Sequence, residues 1–146
     1  MNHLGTKILK TDRLLLRPFQ LTDAEAMYRN WASDPDVTRF LTWPPHTSPE
    51  VSAKVLADWV GQYGKPEFYQ WATVPTEAGE PVGSIAVVGY DSRLGQPELG
   101  YCIGKKWWRQ GYTSEALNRV IDFLFDEAGA VRIAARHDPR NPGSGA

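Results

Sequence analysis

The residues best suited to chemistry lie in Trp107-Trp108-Arg109-Gln110-Gly111-Tyr112-Thr113-Ser114-Glu115-Ala116-Leu117. A short apolar strand precedes this stretch and a strongly amphipathic helix follows it, so it is a strand-to-helix turn. The first N–H groups of a helix have no partner within it and sit at the positive end of its dipole. They form a natural phosphate site. Gly111 lets the main chain approach a ligand, Arg109 adds a positive charge, and Thr113 or Ser114 can cap the helix. The expected ligand is a phosphate-bearing cofactor.

Other elements must hold that turn. Leu14-Leu15-Leu16-Arg17-Pro18-Phe19 follows Thr11-Asp12-Arg13 and predicts a strand stopped by Pro18. Leu21-Thr22-Asp23 signals a helix start with Thr22 or Asp23 as cap. Ala24, Met27, Tyr28 and Trp31 follow at helical spacing, and Ser33-Asp34-Pro35-Asp36 ends the helix. Beyond the aromatic, proline-stiffened loop Trp43-Pro44-Pro45-His46-Thr47, Ser48 caps a second helix with Pro49 in its first position. Its apolar face is Val51, Val55, Leu56, Trp59, Val60 and Tyr63, and Gly61, Gly64 and Pro66 close it.

Strands are predicted over 68–74, 82–90 and 98–103, the first two as an antiparallel hairpin. A helix over 114–127 carries Leu117, Val120, Ile121, Leu124 and Ala128 on one face, Gly129 ends it, and a last strand covers 131–136. This order gives an α+β domain with a mixed sheet. The final strand–helix–strand unit should be a right-handed crossover with its two strands parallel.

A length of 146 residues, 42% of them hydrophobic, suits one domain over 1–146 with a single core. With 16 basic and 17 acidic residues the net charge is −1, which gives no electrostatic case for nucleic acid or a membrane surface. The lone Cys102 excludes an intramolecular disulfide and a cysteine-built metal site, and no metal is expected. As a reduced, packed strand residue it fits a cytoplasmic setting. No apolar run has signal-peptide or transmembrane length, so neither segment is expected.

Four ordered blocks resemble the GNAT superfamily of acyl-CoA-dependent N-acetyltransferases, in particular the branch holding the ribosomal-protein N-terminal acetyltransferases. They are Thr11-Asp12-Arg13-Leu14-x-Leu16-Arg17-Pro18, Glu98-Leu99-Gly100-Tyr101-x-Ile103, Trp108-Arg109-Gln110-Gly111-Tyr112-Thr113-Ser114-Glu115-Ala116, and Arg132-Ile133 with Asn141. The resemblance implies a mixed, mostly antiparallel twisted sheet flanked by helices, and acetyl-CoA as cofactor. Trp108 and Thr113 depart from the commonest form of the superfamily loop, and Ala134 stands where many relatives carry a glutamate base. In the family, Asn-x-x-Ser opens another helix before two more strands. Here Asn141-Pro142-Gly143-Ser144 is followed only by Gly145-Ala146, so the C-terminal helix and last two strands are expected to be missing. The final strand would then expose an edge, which either a second copy covers in a homodimer or which leaves the domain marginally stable.

The family reaction is attack of a neutral amine on the thioester of acetyl-CoA. An N-terminal amine with a pKa of about 8, or a lysine of about 10, must first lose a proton. A carboxylate or water chain does this for a gain of roughly 10²- to 10⁴-fold. Glu98, at the start of the central strand, is the candidate base, with a solvated strand end as the alternative. By resemblance, Tyr101, Cys102 and Ile103 position the pantetheine arm through main chain. Arg109, Gln110, Gly111, Tyr112, Thr113 and Ser114 hold the diphosphate, and Asn141 touches the arm from the opposite strand. Trp43 is a candidate acceptor-site wall.

His46 is read as a substrate contact or a surface histidine, and His137-Asp138 as a relay or a capped loop. Trp107 and Trp108 are expected to pack under the loop, and Tyr28 and Trp31 in the core. Glu115, Arg119, Asp122 and Asp126 are expected on a solvated surface. The leading function is N-acetyl transfer to a primary amine, on a protein N-terminus or a small molecule. The alternative is a non-catalytic CoA-binding or interaction module. Other nucleotide folds fit poorly, since no Walker lysine follows Gly111 and no acidic ribose contact is in place.

Overall fold

Period-two alternation sends neighbouring side chains of each strand to opposite faces, and this chain buries both faces of its sheet. The computed structural model describes residues 3–38, 44–91, 96–130 and 134–135. Within them the strands are β1 (Leu9–Lys10), β2 (Leu14–Pro18), β3 (Gln70–Pro75), β4 (Gly83–Asp91), β5 (Gln96–Ile103) and β6 (Ala134–Ala135), in that spatial order. Each pair is antiparallel except β5 and β6, which are parallel through Glu98 opposite Ala134 and Leu99 opposite Ala135. The α+β class and mixed sheet follow the expected pattern. The predicted strand over 131–136 is described only at 134–135.

On one face, Leu14 and Leu16 of β2, Trp71 of β3, Ile85 of β4 and Leu99 and Ile103 of β5 are buried. They pack with Ala116, Val120, Phe123 and Leu124 of the long helix α4 (Tyr112–Asp126). On the other face Ala72 and Val74 of β3 meet Phe19, Met27, Trp31 and Leu56. That second layer comes from α1 (Ala24–Met27), α2 (Pro35–Thr38) and α3 (Pro49–Gln62). A fully buried side chain such as Leu56 or Phe123 contributes roughly 1.5–3 kcal/mol relative to exposure.

The second layer departs from the sequence reading in three places. The first helix begins with a 3₁₀ turn at Leu21–Asp23 with Gln20 as its N-cap; Thr22 lies inside that turn, and Asp23, at the N-cap position of α1, makes no side-chain cap bond to α1. Asp23 instead accepts the Gln20 amide at 2.8 Å and a two-pronged contact from Arg17 at 2.8 and 2.9 Å. This partner holds the Arg17 guanidinium above its ordinary pKa. Further on, the helix widens into a π turn at Tyr28–Ala32, where the Ser33 N–H reaches back five residues to the Tyr28 carbonyl at 3.1 Å. The extra residue per turn lets both Trp31 and Ala32 face the core, each fully buried. Finally, Gly61 lies inside α3 and does not close it. Tyr63, just past α3, fastens that helix to the sheet: its hydroxyl accepts the Phe19 amide and donates to the Gln70 carbonyl, both at 2.8 Å.

Candidate active site

The turn between β5 and α4 has an unusual backbone. A 3₁₀ turn at Lys105–Trp107 leads to extended Trp108, then to Arg109 at φ +62° and Gly111 at φ +80°. Gly111 is the N-cap of α4, so the helix starts two residues earlier than predicted and neither Thr113 nor Ser114 caps it. Thr113 is buried as the second residue of the helix, and Ser114 is half-buried. The helical ladder begins with the Glu115 N–H bonded to the Gly111 carbonyl at 3.0 Å. The amides of Tyr112, Thr113 and Ser114 therefore precede the ladder, and the glycine cap offers them no side chain. Arg109 and Gln110 are exposed beside them.

Glu115, expected on a solvated surface, is half-buried and tied to the turn between β1 and β2. It accepts from Thr11 Oγ, from the Arg13 amide at 3.0 Å and from Arg13 Nε at 2.7 Å. Burial pushes its carboxyl pKa up, but the hydrogen bonds from Thr11 and Arg13 outweigh this and leave it below the ordinary value. Sequence reading missed this contact because the partners stand 102 residues apart. The only local signal was the Thr11-Asp12-Arg13 block itself.

The register of β5 decides which of its main-chain groups face away from β4. Gly104 N–H bonds the Val82 carbonyl at 2.8 Å, and Ser84 stands opposite Cys102. In an antiparallel ladder alternate residues pair, so the Cys102 amide and carbonyl are engaged with β4 while those of Tyr101 and Ile103 turn outward. The expectation of main-chain contacts at all three residues narrows to Tyr101 and Ile103. The Ile103 carbonyl is itself taken by Trp108 Nε1 at 2.9 Å, which fixes the indole against both core layers. Burial pushes the Cys102 thiol up, as expected of a packed, unreactive cysteine, and its Sγ lies 3.4 Å from Ser84 Oγ. Burial likewise raises the Tyr101 phenol.

Glu98 shares a sheet face with Cys102, the one covered by α1–α3, because Leu99 and Ile103 point to α4. It is half-buried opposite Gly89, where a bulge at Val88 interrupts the β4–β5 register. Beside this face the 3₁₀ turn is fastened to the helical layer. Lys105 Nζ bonds Asp36 of α2 at 2.7 Å. A Cβ on Gly104 would fall 2.3 Å from the Asn30 carbonyl and 2.8 Å from the Trp107 ring, so only glycine fits.

His46 is neither a surface residue nor open to a substrate. It is 8% exposed, its Nδ1 lies 2.6 Å from Oγ of the fully buried Ser52, and its amide bonds the Ala32 carbonyl. Burial lowers its pKa. Trp43, His137, Asp138 and Asn141 lie outside the described residues. No described helix is long and apolar enough to cross a membrane.

The sequence matches the Acetyltransferase (GNAT) domain family over residues 13–146. It is 31% identical over 135 residues to p20 of Bacillus licheniformis, classed as an N-acetyltransferase; the match covers 91% of this chain and 74% of p20. A Vibrio cholerae protein assigned as a ribosomal-protein-serine acetyltransferase shares the fold with a TM-score of 0.83 at 24% identity, over 97% of this chain and 80% of its own. The ribosomal L7/L12 alpha-N-protein acetyltransferase RimL, in a complex with coenzyme A, shares it with a TM-score of 0.77 at 16% identity, over 92% and 77%. A family match over nearly the whole chain, on a fold that presents the open turn ahead of α4, makes this protein a member of the GNAT acetyltransferase family.

Proposed function

We propose that the protein transfers an acetyl group from acetyl-CoA to a primary amine, on a protein N-terminus or a small molecule, by direct attack. The observation that carries this reading is the run of amides ahead of the α4 ladder at a cap where Gly111 adopts φ +80°. Its donor set suits a diphosphate: main-chain N–H groups, a helix dipole and no side chain at position 111. Burial of Thr113 keeps its β-branched side chain off the surface where the ligand would lie. Within the same reading the outward main chain of Tyr101 and Ile103 lines the pantetheine arm, and the roles of arm contact and acceptor contact go to Asn141 and Trp43.

Bound acetyl-CoA supplies an acyl carbon activated as a thioester. Glu98 takes the proton that the amine loses, directly or through water, as the N–C bond forms and the C–S bond breaks. Through solvent, that proton then returns to the departing thiolate, which has kept the electron pair of the broken bond. The α1–α3 face, where Glu98 lies, is then the side from which the acceptor enters.

Thiol release from acetyl-CoA, followed against a panel of N-terminal peptides, polyamines, amino sugars and amino acids, tests this directly. Turnover with at least one amine class is expected. Saturable CoA binding with no turnover across the panel would overturn the enzyme reading in favour of a binding module.

A further inference from the structure

Two left-handed residues flanking Gln110 need something to hold them, and Arg13 is positioned to do so. We propose that Arg13 is a positioning residue for the cofactor turn: it presets the amides of 110–114 and cancels the charge of Glu115. This rests on the reading that the turn grips the diphosphate of CoA.

Positive φ is natural for Gly111 but unfavourable for Arg109, so the turn persists only where its surroundings enforce it. Arg13 supplies that enforcement from the mouth of β2. Its Nη1 donates to the Gln110 carbonyl, between the two left-handed residues, at 3.0 Å. The guanidinium lies 4.4 Å from the centre of the Tyr112 ring. A Cβ at position 111 would come within 3.3 Å of Nη2, so the head group also borders the glycine. Gln110 is held on its other side by its own Nε2, which bonds the Lys106 carbonyl at 3.0 Å. Arg13 precedes Leu14, which is registered opposite Pro75 of β3, so the brace is anchored in the sheet.

The second role is electrostatic. Glu115 sits in the first turn of α4 with an ionised carboxylate, close to the amides that would receive an anion. Left alone, that negative charge would oppose a phosphate. The Arg13 guanidinium, bonded through Nε at 2.7 Å, neutralises it, the Arg13 amide adds a bond at 3.0 Å, and Glu115 in return fixes the guanidinium that shapes the turn. The Thr11-x-Arg13 block and Glu115 therefore form one device, closed by Thr11 donating to the carboxylate oxygen that also accepts the Arg13 amide.

Preorganisation of this kind acts on cofactor affinity and not on the acyl transfer itself. The test is calorimetric titration with CoA and with pantetheine, which lacks the diphosphate, together with steady-state kinetics of the full chain. Arg13→Ala should weaken CoA binding by about tenfold or more and raise the acetyl-CoA KM to match. It should leave pantetheine affinity and kcat at saturating cofactor unchanged. Arg13→Lys, which keeps the charge without the planar fork, should fall between. Adding Glu115→Gln to Arg13→Ala should recover part of the loss by removing the stranded carboxylate.

CoA affinity within about twofold of wild type in Arg13→Ala, or equal losses for CoA and pantetheine, would overturn the assignment. Should Arg13→Ala not fold, Arg13→Lys and Glu115→Gln carry the same comparison. Gly111→Val separates this inference from the one beneath it. If it abolishes CoA binding while the Arg13 variants do not alter it, only the Arg13 role fails. If no variant changes CoA affinity, the diphosphate reading fails as well.

Discussion

On the α4 face of the sheet one regular helix of 15 residues packs against five strands, and its leading turn is cross-braced from Thr11 and Arg13. On the opposite face the chain between Leu21 and Thr38 passes through 3₁₀, α, π and α geometry in turn. The contrast matches the two tasks assigned to the faces. Holding a diphosphate requires main-chain amides in one fixed arrangement, which a helix start provides in any sequence that can form it. Receiving an acceptor requires a surface particular to that acceptor, and irregular helices place side chains where a regular repeat cannot.

The sharpest break between the faces is at Glu98. Glu98→Gln should lower kcat by roughly 100-fold while leaving the acetyl-CoA KM unchanged, because in the proposed reaction the carboxylate serves the acceptor and not the cofactor. A parallel rise in KM would place Glu98 on the cofactor side and erase the division. Next in size is Gly104→Ala, at the seam between the faces. Its Cβ would collide with the Asn30 carbonyl and the Trp107 ring, and overpacking of this kind costs roughly 1–3 kcal/mol. Chemical denaturation should show that loss; an unchanged midpoint would mean the seam yields.

The smallest effect concerns the buried His46. Its pKa lies below the ordinary value of 6.5, so the unfolded chain binds a proton there that the folded chain resists. Stability should therefore fall as pH drops below about 6.5, until the folded pKa is passed. His46→Gln should remove this contribution, giving a shallower decline between pH 7 and 5 by denaturation. Parallel pH profiles for the two proteins would show that His46 is not a source of the slope.

What could be read from sequence and what could not divide along similar lines. The β5–turn–α4 unit was legible because its signals are local: an apolar strand, Gly111, and a helical stripe ending near Gly129. The β3–β4 hairpin and the parallel β5–β6 pair were legible from turn signals and the crossover rule, whereas β1 and the pairing of β2 with β3 were not. Glu115 was misread because a charge on a helix looks solvated until its partner, 102 residues away in the chain, is known. Gly111 took the cap expected of Thr113 or Ser114 because the left-handed turn ends there, one residue before the helix begins. The π turn at Tyr28–Ala32 left no trace in spacing, since Trp31 fits an ordinary helical stripe as well. His46, read as a substrate contact or a surface histidine, instead meets Ser52 inside an apolar layer, a residue for which the sequence offered no signal.

The central claim is that main-chain amides of the turn hold the diphosphate. It is tested most directly by following backbone amide resonances of the ¹⁵N-labelled protein as CoA is added. The account predicts the largest shifts at Gln110, Gly111, Tyr112, Thr113 and Ser114, and almost none there with pantetheine. Saturable CoA binding that leaves those five amides unmoved would contradict it.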